Sequence, residues 1–284
     1  MDSPVEKPQA VLARMEHAAR RIETPCGDGH MVWRVWGEGP RPPLLLLHGG
    51  YGSWRHWIRT IPAFATDRAV IAPDLPGLGE SASPVDAPTQ ADIAAILRAG
   101  LAEVLPPRAA YDLVGFSFGG MIAGHLSAQD AARVRSLTLV GPGGLGGLPS
   151  QVKLEKVISL HGPARIEAHR TNLHRLMIHD PHKIDALALA IQDWNTRLGR
   201  IKSRPMSRTA SLLEVLAHVR EPLHAIYGEF DAPAYPHLAE RQARLRAVRP
   251  DVDFHIVRGA GHWVAYEAPA TFNALLRRIV DAAD

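Results

Sequence analysis

Tyr111-Asp112-Leu113-Val114-Gly115-Phe116-Ser117-Phe118-Gly119-Gly120 is the stretch that decides the fold. Its first half is a short apolar run, the pattern of a strand buried on both faces. Its second half opens a helix running from Phe118 to about residue 129. Between them stands G-x-S-x-G, with Ser117 at the turn. A strand that passes straight into a helix holds the central residue strained and pointing outward, and side chains at the flanking glycines would strike the strand or the helix. Ser117 is thereby carried to a helix N-terminus, where partial positive charge favours a developing anion. The backbone N–H of Phe118 points the same way and can donate to an oxyanion. The five-residue pattern also occurs in ordinary turns. The strand before it and the helix after it make Ser117 a candidate nucleophile.

Outward from this turn the chain alternates. Short apolar or alternating runs over residues 31–36, 44–47, 69–72, 111–115, 134–140, 223–228 and 254–257 read as strands. Residues 54–65, 89–104, 118–129, 236–248 and 270–282 read as helices, the last with Phe272, Leu275, Leu276 and Ile279 on one face. Strand and helix in succession predict the α/β class: a mostly parallel central sheet, right-handed crossovers, and helices on both faces. The rhythm breaks over residues 145–219. That stretch begins Leu145-Gly146-Gly147-Leu148-Pro149 and continues with helical spacing through Leu187, Leu189, Ile191, Trp194 and Leu198. We therefore expect a core of residues 20–144 and 220–284, a helical insertion at 145–219, and a helix-prone N-terminal extension at 1–19 without recognisable chemistry.

Composition narrows the function classes. At 284 residues, 46% of them hydrophobic and 21% charged, the chain can bury a sizeable core and is not of the disordered class. Its 32 Lys and Arg are offset by 29 Asp and Glu, and the basic residues are scattered with no run of five, so nucleic-acid binding is not expected. The single cysteine, Cys26, rules out an internal disulfide and suits a reducing compartment. The N-terminus is polar and lacks a secretory apolar segment, and Leu44 to Leu47 is too short to span a bilayer. The expectation is a cytoplasmic protein with no membrane insertion, acting on a small molecule; the sequence sets no oligomeric state.

A serine hydroxyl is a poor nucleophile at neutral pH and needs a neighbouring base. Of 15 histidines, His262 is singled out by Gly259-Ala260-Gly261-His262-Trp263. This loop follows the last strand, at the same sheet edge as Ser117. The third member must hold the imidazole in one tautomer. Asp231, just after the strand ending at Gly228, completes the chain order serine, aspartate, histidine. Glu229 is the second choice, and Asp253 stands at the wrong edge.

Leu47-His48-Gly49-Gly50-Tyr51-Gly52-Ser53 follows a buried strand and resembles the HG-x loops that supply a second oxyanion N–H, with Gly50 the first choice of donor and Tyr51 the second. His48 is expected to buttress this loop. Tyr51, Phe116 and Trp263 are candidate pocket walls, with Trp54, Trp57 and Phe118 either beside them or in the core. His179 and His182 have a spacing that could bind metal, but without further ligands no metal is expected. Gly77-Leu78-Gly79 lacks the lysine of a phosphate loop and reads as a turn.

Together, His48-Gly49-Gly50, Asp74-Leu75-Pro76-Gly77-Leu78-Gly79-Glu80-Ser81, Gly115 to Gly120, and Gly261-His262-Trp263 resemble the α/β-hydrolase superfamily over almost the whole chain. The resemblance implies that residues 145–219 are a lid over the site. It looks closest to the branch holding bacterial carboxylesterases and the meta-cleavage-product C–C hydrolases, with Trp263 after the histidine similar to the latter. Two positions depart from those C–C hydrolases, which usually carry Asn before the nucleophile, where this chain has Phe116. They also carry a lid arginine near the position of Gln192. Arg197, Arg200, Arg204 or Arg208 could replace that charge or could be solvated surface. The expected activity is hydrolysis of small or medium carboxylic esters through an acyl-enzyme, without a cofactor. The alternatives are C–C bond hydrolysis of a vinylogous diketone, and a non-enzymatic small-molecule-binding module of the same fold.

Overall fold

The structure, a computed structural model, describes residues 6–84, 87–147 and 152–283. Eight strands build one sheet: β1 (Arg20–Cys26), β2 (Gly29–Trp36), β3 (Arg41–Leu47), β4 (Arg68–Pro73), β5 (Tyr111–Phe116), β6 (Val134–Val140), β7 (Leu223–Gly228) and β8 (Asp253–Val257). Their order is β1-β2-β4-β3-β5-β6-β7-β8. The β1–β2 and β2–β4 pairs are antiparallel, and every pairing from β4–β3 to β7–β8 is parallel. The helices are α1 (Pro8–His17), α2 (Ile61–Phe64), α3 (Gln90–Val104), α4 (Phe118–Gln129), α5 (Gly162–Leu176), α6 (Ala186–Arg197), α7 (Ser203–Ser207), α8 (Ser211–Leu216), α9 (Leu238–Val248), α10 (Val264–Glu267) and α11 (Pro269–Ala282). This is the mostly parallel α/β architecture that the alternation predicts.

Two hydrophobic cores lie on the two faces of the sheet, and β3 shows why its run of leucines is unbroken. Successive strand side chains point to opposite faces. Leu45 and Leu47 join Trp33, Leu97, Leu113 and Ile122 on the face covered by α3 and α4. Leu44 and Leu46 join Val114, Phe272 and Ile279 on the face covered by α11. All four leucines are fully buried, each contributing roughly 2 kcal/mol of hydrophobic stabilisation.

The structure corrects one reading and adds one strand. Residues 54–65 are not one helix but a 3-10 turn, Trp54–Trp57, followed by the separate short α2. Pro62 has no N–H and its ring would collide with a carbonyl one turn earlier, so it sits in the first turn of a new helix. Residues 20–26 form β1, an edge strand joined to β2 by a two-residue turn, with Cys26 paired to Gly29.

Between β6 and β7 the described residues contain α5 to α8 and a 3-10 turn, Pro181–Lys183, but no strand. Residues 148–151, in the glycine-rich entry to this insertion, lie outside the described residues, as do residues 1–5 of the N-terminal extension. The rest of the extension forms α1, whose Met15 carbonyl accepts a hydrogen bond from the Trp36 indole N–H at 2.7 Å. Among the described residues no helix is long and apolar enough to cross a membrane.

Candidate active site

Ser117 occupies the single residue between β5 and α4, at φ 53° and ψ −113°. Positive φ is costly for a side-chain-bearing residue, of order 1–3 kcal/mol. The turn is held by hydrogen bonds that Ser117 makes through its backbone. Its N–H donates to the Val140 carbonyl at 2.8 Å, and its carbonyl accepts from the Gly143 N–H at 3.0 Å. The flanking glycines are required by close approach. A Cβ at Gly115 would lie 2.4 Å from the Gly119 carbonyl oxygen, and one at Gly119 would lie 2.3 Å from that of His48.

His262 lies in the loop after β8, and Asp231 in the loop after β7. Both are buried, at the carboxyl edge of the parallel strands. His262 Nε2 is 3.0 Å from Ser117 Oγ, and His262 Nδ1 is 2.9 Å from Asp231 Oδ2. The three sequence candidates are thus one connected row. Gly141, the residue just after β6, makes this possible: at φ 48°, a Cβ there would come within 2.5 Å of Asp231 Oδ2. Glu229 does not enter the row, because its carboxylate accepts the Gly259 N–H at 2.9 Å. Asp253 stands at the start of β8, beside His224 and His255.

A cavity of about 380 Å³ opens over Ser117 and His262, and Gly50, Tyr51, Phe116 and Phe118 border it. Phe118 opens α4, so its N–H has no acceptor within the helix. The Gly50 N–H likewise has no acceptor among the described residues. Trp263, expected at the cavity wall, is fully buried and donates its indole N–H to the His56 carbonyl at 2.8 Å. A buried indole needs such an acceptor, and its ring is stacked on Tyr266 instead of facing substrate space.

The loop bearing Gly50 is braced from behind. His48 Nδ1 lies 2.8 Å from the Gly49 carbonyl, while its Nε2 accepts the Leu75 N–H at 2.9 Å. That pattern fits only the neutral ring, and burial lowers its pKa to about 4. His56, which the sequence reading passed over, accepts the Gly49 N–H on its Nδ1 at 3.2 Å. Burial, with His48 and His262 nearby, pushes its pKa well below the usual histidine value. Asp74 fixes the neighbouring turn by accepting the N–H groups of Trp54 and Glu80, each at 2.9 Å. Gly77 and Gly79 in that turn take positive φ.

The arginines of the insertion separate clearly. Arg197 pairs with Asp193 at 3.0 Å, and Arg200 donates to the Gly79 carbonyl at 2.8 Å. Arg204 and Arg208 border the cavity, together with Arg241 from α9, and none of the three pairs with a carboxylate among the described residues. Gln192 does not border the cavity. Of the two histidines weighed for metal, His179 stacks flat on Phe230 with ring centroids 3.8 Å apart, and His182 lies in the 3-10 turn.

Residues 44–275 match the model of the alpha/beta hydrolase family. A 2-hydroxymuconate semialdehyde hydrolase of a Pseudomonas species is 41% identical over 106 residues, a match that spans 36% of this chain and only 37% of that protein. A 2-hydroxy-6-oxononadienedioate/2-hydroxy-6-oxononatrienedioate hydrolase of Paraburkholderia phymatum is 30% identical over 255 residues, 82% of this chain and 85% of that one. Among solved structures, naproxen esterase of Bacillus subtilis aligns with a TM-score of 0.77 over 96% of each chain, at 21% identity, a likeness of fold. With most of its length matched by the family model and the same fold in its structural neighbours, this chain belongs to the alpha/beta hydrolase family.

Proposed function

We propose that the protein is a serine hydrolase that cleaves small or medium carboxylic esters through an acyl-enzyme. The observation that carries this reading is the row Ser117 Oγ, His262 Nε2, His262 Nδ1, Asp231 Oδ2, connected at 3.0 and 2.9 Å beside a cavity of about 380 Å³. Ser117 Oγ attacks the ester carbonyl carbon while His262 Nε2 takes its proton. Asp231 holds the ring in the tautomer with Nδ1 protonated and stabilises the imidazolium. The N–H groups of Phe118 and Gly50 receive the oxyanion. His262 returns the proton to the leaving alkoxide, and the C–O bond breaks. His262 then takes a proton from water as the water oxygen attacks the acyl carbon, and returns it to Ser117 Oγ as the bond between that oxygen and the acyl carbon breaks and the acid leaves. Phe116 and Tyr51 shape the acyl pocket, and α5 to α8 act as the lid over a core of residues 20–144 and 220–284. No cofactor enters this sequence.

A second reading, hydrolysis of a C–C bond next to a ketone, is favoured by one observation. Arg204, Arg208 and Arg241 border the cavity without carboxylate partners among the described residues, as a carboxylate-bearing substrate would require. The similar 2-hydroxymuconate semialdehyde and 2-hydroxy-6-oxononadienedioate hydrolases support the same direction.

The test is turnover of p-nitrophenyl esters from acetate to laurate by the wild type and by Ser117→Ala. The expected result is measurable wild-type hydrolysis that falls by at least about a thousandfold in the variant. A wild type inert toward every ester would overturn the esterase reading, and a vinylogous diketone acid would then be the substrate to try. A serine that fails to react with a fluorophosphonate probe, with no turnover of either class, would leave the binding-module reading.

A further inference from the structure

The edge of the sheet opposite Ser117 carries a second constellation of chemistry-bearing side chains. In the parallel β7–β8 pair, His224 stands opposite Asp253 and Ile226 opposite His255. Asp253 and His255 are two apart on one strand and so share a face. The result is that His224 Nδ1, Asp253 Oδ2 and His255 Nε2 converge, all within 4.8 Å of one another. The carboxylate oxygen is 3.4 Å from His224 Nδ1 and 2.8 Å from His255 Nε2. Both ring nitrogens are shut off from solvent, yet neither has a hydrogen bond of proper direction among the described residues. Two buried imidazole nitrogens crowded against one carboxylate oxygen, neither with an aligned hydrogen bond to it, are costly as a purely structural feature.

We propose that His224, Asp253 and His255 bind a divalent transition-metal ion, such as Zn²⁺ or Ni²⁺, that clips β8 to β7. Two imidazoles and one carboxylate form a donor set suited to these borderline ions rather than to calcium or magnesium. A bound ion places its ligands about 3 Å apart, given metal–ligand bonds near 2.1 Å, so only small side-chain rotations are needed. The Asp253 side chain is 56% exposed, which leaves room for water in the remaining coordination positions. Strand rise puts this cluster about 13 Å from the carboxyl end of β7, so the ion takes no part in the chemistry at Ser117. Its effect is on stability. β8 is an edge strand, paired on one side only, and the loops after β7 and β8 carry Asp231 and His262.

The experiment uses the untagged full chain, stripped with EDTA and dialysed against micromolar zinc, with bound metal read by elemental analysis and Tm by calorimetry. The expected result is one tightly held zinc per chain and a Tm raised by about 5 °C at saturation. His255→Ala should lose both effects. Asp253→Asn, at the most exposed of the three positions, guards against a folding defect and should lose them too, while its circular dichroism in EDTA matches the wild type. The Ser117→Ala variant should bind zinc as the wild type does, which separates this site from the one bearing His262. No zinc retained by the wild type, or the same zinc content in both cluster variants, would overturn the proposal.

Discussion

At the scale of single residues, the loop bearing Gly50, the proposed oxyanion donor, depends on two histidines outside the Ser117–His262–Asp231 row. Gly49 is gripped at both backbone groups, its carbonyl by His48 and its N–H by His56. Protonating His48 would cost it the Leu75 N–H, because a ring carrying both protons has no acceptor left. The unfolded chain has no such restriction, and its histidines titrate near the ordinary value of about 6.5. Between that value and the folded pKa of about 4, the unfolded state binds a proton that the folded state refuses. Stability therefore falls as pH is lowered through this window, by about 3 kcal/mol from His48 alone. His56, displaced in the same direction, adds to the loss. The measurement is urea unfolding from neutral pH down to about pH 4.5, for the wild type and His48→Gln. The variant should be less stable at neutral pH but should show a shallower acid decline. An unchanged decline would mean that His48 is not the proton-linked group.

At the scale of elements, one short helix holds the His262 loop to the segment after α5. Glu267 in α10 is buried, and its Oε2 accepts the N–H groups of Gly261 at 2.7 Å and His179 at 3.0 Å, while its Oε1 accepts that of Asp180 at 2.8 Å. The Trp263 N–H adds a bond to the Met177 carbonyl at 2.6 Å. Residues on either side of His262 are thus tied to the segment after α5. Glu267→Gln turns one accepting oxygen into a donor and leaves at least one buried N–H unpaired. We expect a loss of about 2 kcal/mol in urea unfolding and about a tenfold drop in kcat on the best ester as His262 loosens. A variant destabilised with kcat intact would make Glu267 a support of the fold only. This tie was not legible in the sequence, since Glu267 meets His179 only after some 90 intervening residues have folded. By contrast, Ser117 and His262 were legible because each is announced by neighbours in its own loop. Asp231 was legible through the strand that precedes it. Gly141 and His56 act on Asp231 and Gly49 through space, and no local pattern marks them. At element level, apolar runs revealed β3 to β7, whereas β1 has too few apolar residues to betray an edge strand. The α2 boundary was misread because helical spacing continues through Pro62, while the missing N–H does not.

At the scale of the whole molecule, the sheet delivers Ser117, Asp231 and His262 to one edge, and three arginines, two from the α7 segment and one from α9, border the cavity beside them. A net charge of +3 says little in itself; what matters is that Arg204, Arg208 and Arg241 gather around one cavity without carboxylate partners among the described residues. Arg241 is engaged with the carbonyls of Gly146 and Pro233, at 2.8 and 3.2 Å, which fixes its guanidinium at the rim. Arg204 and Arg208 are exposed residues, so each attraction to an anion is screened and worth only about 1 kcal/mol, but their fields add over a shared site. A substrate with a free carboxylate should therefore be preferred over a neutral ester of the same length, by about tenfold in kcat/KM at low salt. Raising the ionic strength should erode that preference, as for any exposed cationic site. The comparison is between the p-nitrophenyl half-ester of a short dicarboxylic acid and the matching neutral alkanoate, assayed on the wild type and on Arg204→Ala/Arg208→Ala. The double variant should lose most of its rate on the anionic ester and much less on the neutral one, with the effect in KM rather than kcat, because the carboxylate is held equally in ground and transition states. Equal kcat/KM for the two esters in the wild type would show that these arginines serve the solvated surface, and the acidic-substrate reading would fall with them.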